Sequence, residues 1–332
     1  MNKRVLYYDI LNVLSCISVV FLHSNGYFHD FAKDGWWWLR VLIEVVFYFA
    51  VPVFFMLSGA TLLNYRKRYS TKVFLRKRLL KTFMPYCLWG CGFYLLHICI
   101  VGLSEVHWKE VVENFTIGKI PYTSYWFFIH LFLLYLFIPF LSVMVVNMSK
   151  RMILVLCLLL FVLQSLLPMI YSFLSIGFDL PLPIGGYVLY ALLGYFFANT
   201  NLENNNTLFP LLGTVALLSL VFRYLGIFCA TEKDTIWFSY MGIYAIFPAT
   251  FVFLLIKRLA PFVDKWGNLW TSLSRRSLGV YLIHVFLIVL LSKVISKANP
   301  WFIPISVFFV YLSSVAIVAS LQRVKFMRYL LP

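Results

Sequence analysis

Apolar runs of about 20 residues follow one another almost from end to end of this chain, parted only by short polar breaks. A helix of roughly 20 apolar residues crosses the hydrocarbon core of a bilayer. Inside that core every backbone N–H and C=O must be satisfied within the protein, which leaves helices or closed barrels. The runs are continuous rather than alternating, so the expected class is all-α: one polytopic bundle of about ten transmembrane helices, forming a single domain over 1–332. The spans expected are 6–25, 38–63, 82–102, 126–146, 152–171, 183–198, 207–229, 236–256, 277–296 and 301–322. Pro52 is expected to kink the second, and Pro183, Gly185 and Gly186 make the start of the sixth irregular. With 62% hydrophobic and 12% charged residues, there is no material for a separate soluble domain.

Charge is read loop by loop. The net charge of +16 would suggest nucleic acid on a soluble protein. On a membrane protein, Lys and Arg set orientation instead, and no nucleic-acid partner is expected. Placing the N-terminus in the cytoplasm puts 20 of the 28 Lys and Arg on the cytoplasmic side, eight of them between Arg66 and Lys81. Lys33, Lys109, Lys119, Lys233, Lys293 and Lys297 fall outside, and Arg40 and Arg223 near outer helix ends. That asymmetry supports an even number of spans with both termini cytoplasmic. Trp36, Trp37 and Trp38 sit where an outer aromatic belt belongs, and Arg223 reads as a snorkelling residue more readily than as an anion site. Asp9, Asn12 and Ser15 interrupt the first run, and no small-residue cleavage site follows it. It is therefore expected to be a retained helix, not a signal peptide. The six cysteines form no CxxC pair and read as packing residues, with no metal site.

Strongly polar side chains within spans are costly in hydrocarbon and are candidates for function. Asn12 and His23 are eleven residues apart in the first span. They share a helix face and lie about 16 Å apart along the axis. Asp9 either joins this polar stripe or solvates at the cytoplasmic interface. His23, Asn25 and the nearby His29 resemble the mouth of a polar site. Glu44 lies inside the second span, and Ser58-Gly59 offers a small surface for helix packing or for a site lining. Arg76, Arg78 and Lys81, immediately before Pro85, are held against the membrane. They suit anionic lipid headgroups or the phosphates of a donor. Ser277, Tyr281 and His284 follow i, i+4, i+7 on one face of the ninth span. His97 and His130 read as structural or interfacial.

Taken together, these stretches resemble acyltransferase family 3, the multi-span bacterial membrane enzymes that O-acylate surface polysaccharides and related acceptors. The resemblance runs through Tyr8-Asp9-Ile10-Leu11-Asn12, Val19-Val20-Phe21-Leu22-His23, Val51 to Gly59 and Arg78-Leu79-Leu80-Lys81 with Pro85-Tyr86. It continues through Trp126 to Pro139 and Ser277 to His284. It implies a multi-pass protein of the bacterial cytoplasmic membrane that takes acetyl-CoA or another acyl-CoA as co-substrate and a glycan or glycolipid as acceptor. His23 matches the family's first-helix histidine, and Tyr281 and His284 its Tyr-x-x-His. Asn12 stands where the family usually has Arg or Lys, and Lys81 where Arg is usual. On this reading His23, His284 and Tyr281 are catalytic. Asn12, Arg76, Arg78 and Lys81 bind the donor, and Asn25, Glu44 and Ser58 line the acceptor site.

Direct transfer with His23 as general base and an acyl-histidine relay remain alternatives. His284, Tyr281 or Asn12 could supply the oxyanion donor. A flippase of a lipid-linked saccharide and a catalytically silent binding relative are the competing functions.

Overall fold

The computed structural model describes residues 4–31, 33–177, 186–230 and 235–331. Lys3, Pro183, Gly185 and Lys233 lie outside them. The chain folds as an all-α polytopic bundle, and among the described residues there is no strand. Eight helical stretches are long and apolar enough to cross a bilayer, and two shorter apolar helices, Tyr187–Ala198 and Ser277–Ser292, coincide with the sixth and ninth expected spans. Leu136, Phe140, Val155, Leu217, Leu218 and Phe308 are well exposed, as on a surface whose solvent is lipid.

Prolines set several of the breaks. The second expected span is two helices, α2 (Trp37–Phe47) and α3 (Ala50–Leu62), after the first helix α1 (Leu6–Ser24). Pro52 offers no N–H to Tyr48 and its ring crowds that carbonyl, so the break falls one turn ahead of it. The basic stretch between the second and third expected spans is helical from Thr71 onward. It forms α4 (Thr71–Arg78) and runs through a π turn at Leu79–Phe83 into α5 (Met84–Val101). A second π turn, Val162–Leu166, links α8 (Lys150–Phe161) to α9 (Leu167–Phe173). Each π turn contains the residue four before a proline, Pro85 or Pro168, where the widened ring makes room. Between these lie an exposed helix α6 (Trp108–Ile117) and the apolar α7 (Trp126–Asn147).

The remaining helices are α10 (Tyr187–Ala198), α11 (Leu208–Cys229), α12 (Ile243–Leu259), α13 (Gly267–Ser274), α14 (Ser277–Ser292), α15 (Phe302–Leu321) and α16 (Met327–Leu330). The eighth expected span therefore starts as a 3-10 turn at Thr235–Phe238 and becomes α-helical only after Gly242. Helix α1 is central, packing on α2, α3, α12, α13, α14 and α15. Helices α3 and α10 meet backbone to backbone. A Cβ on Gly59 would stand 1.8 Å from the Ala191 carbonyl oxygen, and one on Gly194 2.0 Å from that of Met56. Small residues permit this approach, and dispersion rewards it where no hydrophobic effect acts between helices.

Candidate active site

His23 is the second-last residue of α1, and His284 lies at mid-length in α14. Packing of α1 on α14 brings Nδ1 of His23 to 2.7 Å from Nε2 of His284, with the rings nearly parallel at 14°. Nδ1 of His284 is in turn 2.7 Å from the Tyr281 carbonyl oxygen. A carbonyl can only accept, so with both rings neutral the proton of His284 sits on Nδ1. Its Nε2 then accepts from Nδ1–H of His23. This leaves Nε2 of His23 as a lone pair, oriented through His284 by a backbone group.

His23 faces a cavity of about 410 Å³ that is also lined by His29, Glu44, Tyr48, Ser124, Trp126, Phe238, Tyr240 and Tyr281. A second cavity of about 490 Å³ opens at the end of the bundle that carries the basic residues. Its polar lining includes Arg4, Asp9, Asn12, Ser58, Arg78, Ser274 and Arg275. Tyr281 lines both cavities. Its hydroxyl donates to the Ser124 carbonyl at 2.7 Å, and the Tyr125 hydroxyl returns the contact to the Leu282 carbonyl at 2.8 Å. These bonds pin the start of α7 to α14 and hold the Tyr281 ring between the two cavities.

The sequence-derived candidates divide between these places. His23 and Glu44 line the histidine cavity, and Tyr281 lines both. Asn12, Ser58 and Arg78 line the basic cavity. The Asn12 amide donates to the carbonyl and hydroxyl of Ser274 at 3.0 and 2.9 Å, tying α1 to α13. Asp9 is not solvated: it is buried, paired in a bidentate bridge with Arg4 at 2.7 Å, and accepts from Thr271 at 2.8 Å. Asn25 lines neither cavity; fully buried, its amide donates to the Arg40 carbonyl at 2.8 Å and fastens the turn after α1 to α2. Arg76 and Lys81 are exposed on α4 and the π turn, outside both linings.

Arg4 and Arg275, which belong to the cytoplasmic excess of Lys and Arg, both line the basic cavity. Their positions carried a hint, Arg4 five residues before Asp9 and Arg275 two residues before the helix of Tyr281 and His284. Arg223 does not snorkel. It has no exposed surface and pairs with Glu44 at 3.7 Å. An intramembrane Glu and Arg that meet cost less than either alone, a pairing that separate spans cannot reveal.

Residues 5–320 match the family model for the acyltransferase domain of acyltransferase family 3. The chain belongs to this family. No curated protein and no solved structure matches it. Membership of acyltransferase family 3 makes the protein a membrane acyltransferase.

Proposed function

We propose that the protein moves an acyl group, most simply acetyl from acetyl-CoA, to a hydroxyl of a cell-envelope glycan or glycolipid at the bacterial cytoplasmic membrane. The observation that carries this reading is the hydrogen-bonded chain from His23 through His284 to the Tyr281 carbonyl, with His23 facing a largely aromatic cavity and a second cavity lined with three arginines beside it. The basic cavity is assigned to the cytoplasmic side by the orientation rule. Arg4, Arg78 and Arg275 then meet the donor's phosphates, with Arg76 and Lys81 adding to the field at the mouth. The thioester arm passes the Tyr281 ring to reach His23, about 16 Å beyond Asn12 along α1.

In the reaction, Nε2 of His23 takes the proton of the acceptor hydroxyl as its oxygen attacks the thioester carbonyl. The C–S bond breaks, the CoA sulfur leaves with the bonding pair, and it recovers that proton from His23. His284 shares the charge on His23 while the carbonyl holds His284 in place, an arrangement of base and orienting group found in hydrolytic triads. A purified preparation in detergent, supplied with radiolabelled acetyl-CoA and envelope glycans, is expected to turn over label. His23→Ala should lower turnover at least ~100-fold, the usual scale for a general base. Full turnover by His23→Ala would remove this assignment.

A further inference from the structure

Arg223 lies in α11, a span otherwise composed of apolar and small residues. Its guanidinium is enclosed. Nη2 stands 3.7 Å from Oε1 of Glu44, Nη1 donates to the Glu44 carbonyl at 3.1 Å, and Nε donates to the Trp237 carbonyl at 2.9 Å. The Tyr48 ring lies against it at 3.6 Å. Arg223 itself lines neither cavity. The groups it gathers do: Glu44 and Tyr48 face the histidine cavity, and Trp237 leads directly into Phe238, which faces it too. From Tyr48 an aromatic wall continues through Tyr240, stacked at 4.2 Å and 6°, to Trp126 at 5.6 Å and 24°.

A buried ion pair adds little net stability, because desolvation offsets the attraction. Stability alone therefore gives no reason for the carboxylate of this pair to face a cavity that holds the reacting base. A carboxylate has about four acceptor positions, and the pairing with Arg223 does not by itself fill them. Aromatic faces accommodate the C–H faces of a saturated ring. Among the described residues lining this cavity there is no Lys or Arg to receive an anion.

We infer that Arg223 is a positioning residue for the acceptor. It holds the Glu44 carboxylate toward a cavity that takes an uncharged, hydroxyl-bearing ring and turns away rings that carry an acid group. The inference rests on the acyl-transfer reading for the role of His23, while the binding it describes stands without turnover.

The test uses the full chain in a detergent without sugar headgroups, titrated with methyl β-glucoside and with methyl β-glucuronide, which differ by one carboxylate. Binding is read by saturation-transfer NMR. Wild type should bind the glucoside at least tenfold more tightly than the glucuronide. Glu44→Gln, which leaves the Arg223 cation unmatched beside the cavity, should bring the two within twofold. Arg223→Leu should weaken glucoside binding about tenfold, and Arg223→Lys should restore most of it. Equal binding of the two probes by wild type, no binding of either, or a ratio unchanged in Glu44→Gln and Arg223→Leu overturns the inference. A purely structural Arg223 would lower thermal stability and leave the ratio alone. Acetyl-CoA turnover by wild type, measured separately, reports on the acyl-transfer reading: its absence alongside the expected ratios would sink that reading and leave this site standing.

Discussion

His284 does its work at one atom. The Tyr281 carbonyl fixes the proton on its Nδ1, which fixes the tautomer of His23 and so the location of the lone pair. His284→Ala keeps His23 and removes that control. Transfer should fall by ~100-fold or more, with the KM for acyl-CoA nearly unchanged, in steady-state kinetics of the purified protein. The Tyr281 hydroxyl is committed to the Ser124 carbonyl and is not available to an oxyanion in this conformation. Tyr281→Phe should cost about 1 kcal/mol of stability, the usual net worth of one hydrogen bond, seen as a lower unfolding temperature in detergent. Asn12 holds Ser274 where the family usually has a cation, and Arg4, locked to Asp9, stands in the same cavity.

At the level of helices, the close contact of α3 and α10 is the least forgiving feature. Gly59→Ala and Gly194→Ala each set a methyl within 2.0 Å of a carbonyl oxygen on the facing helix. The backbones must separate, at about 1–3 kcal/mol for each, measurable as earlier thermal unfolding of the purified protein. Much of this level was legible in the chain. The ends of α7, α11 and α15 and the start of α14 follow from where apolar runs meet polar or proline punctuation, and the His23 and His284 faces follow from helical periodicity. Other features were not. Whether Arg66 to Lys81 would be loop or helix depends on packing against α7, since strong helix formers and a topology signal use the same Lys and Arg residues. The Glu44–Arg223 pair joins helices 179 positions apart in the chain, and periodicity within one span carries no record of a partner in another. Asn25 looked like a site residue because a buried amide and a solvent-facing one have the same one-letter pattern.

At the scale of the whole molecule, three separate segments bring Arg4, Arg78 and Arg275 to one cavity. Replacing any of them with Gln should raise the KM for acyl-CoA about tenfold, in line with ~1.5–3 kcal/mol for a hydrogen bond to a charged group. It should also flatten the dependence of KM on ionic strength, because part of the attraction is screened by salt. The Tyr281 ring between the cavities has a consequence for energetics across the membrane. Under the proposed reaction an acyl group travels outward past it and the acceptor's proton returns to the CoA sulfur. Neither side changes its net charge, because acyl-CoA and free CoA carry the same phosphates and the hydroxyl and its ester are both uncharged. Turnover is then an electroneutral exchange, and its equilibrium is indifferent to a membrane potential that would weigh about 2.3 kcal/mol per 100 mV on any net charge crossing. In proteoliposomes holding an imposed potassium diffusion potential, the final extent of acylation should be the same at either polarity. Such an enzyme can modify the outer surface of a fully energised cell without drawing on the gradient that energises it.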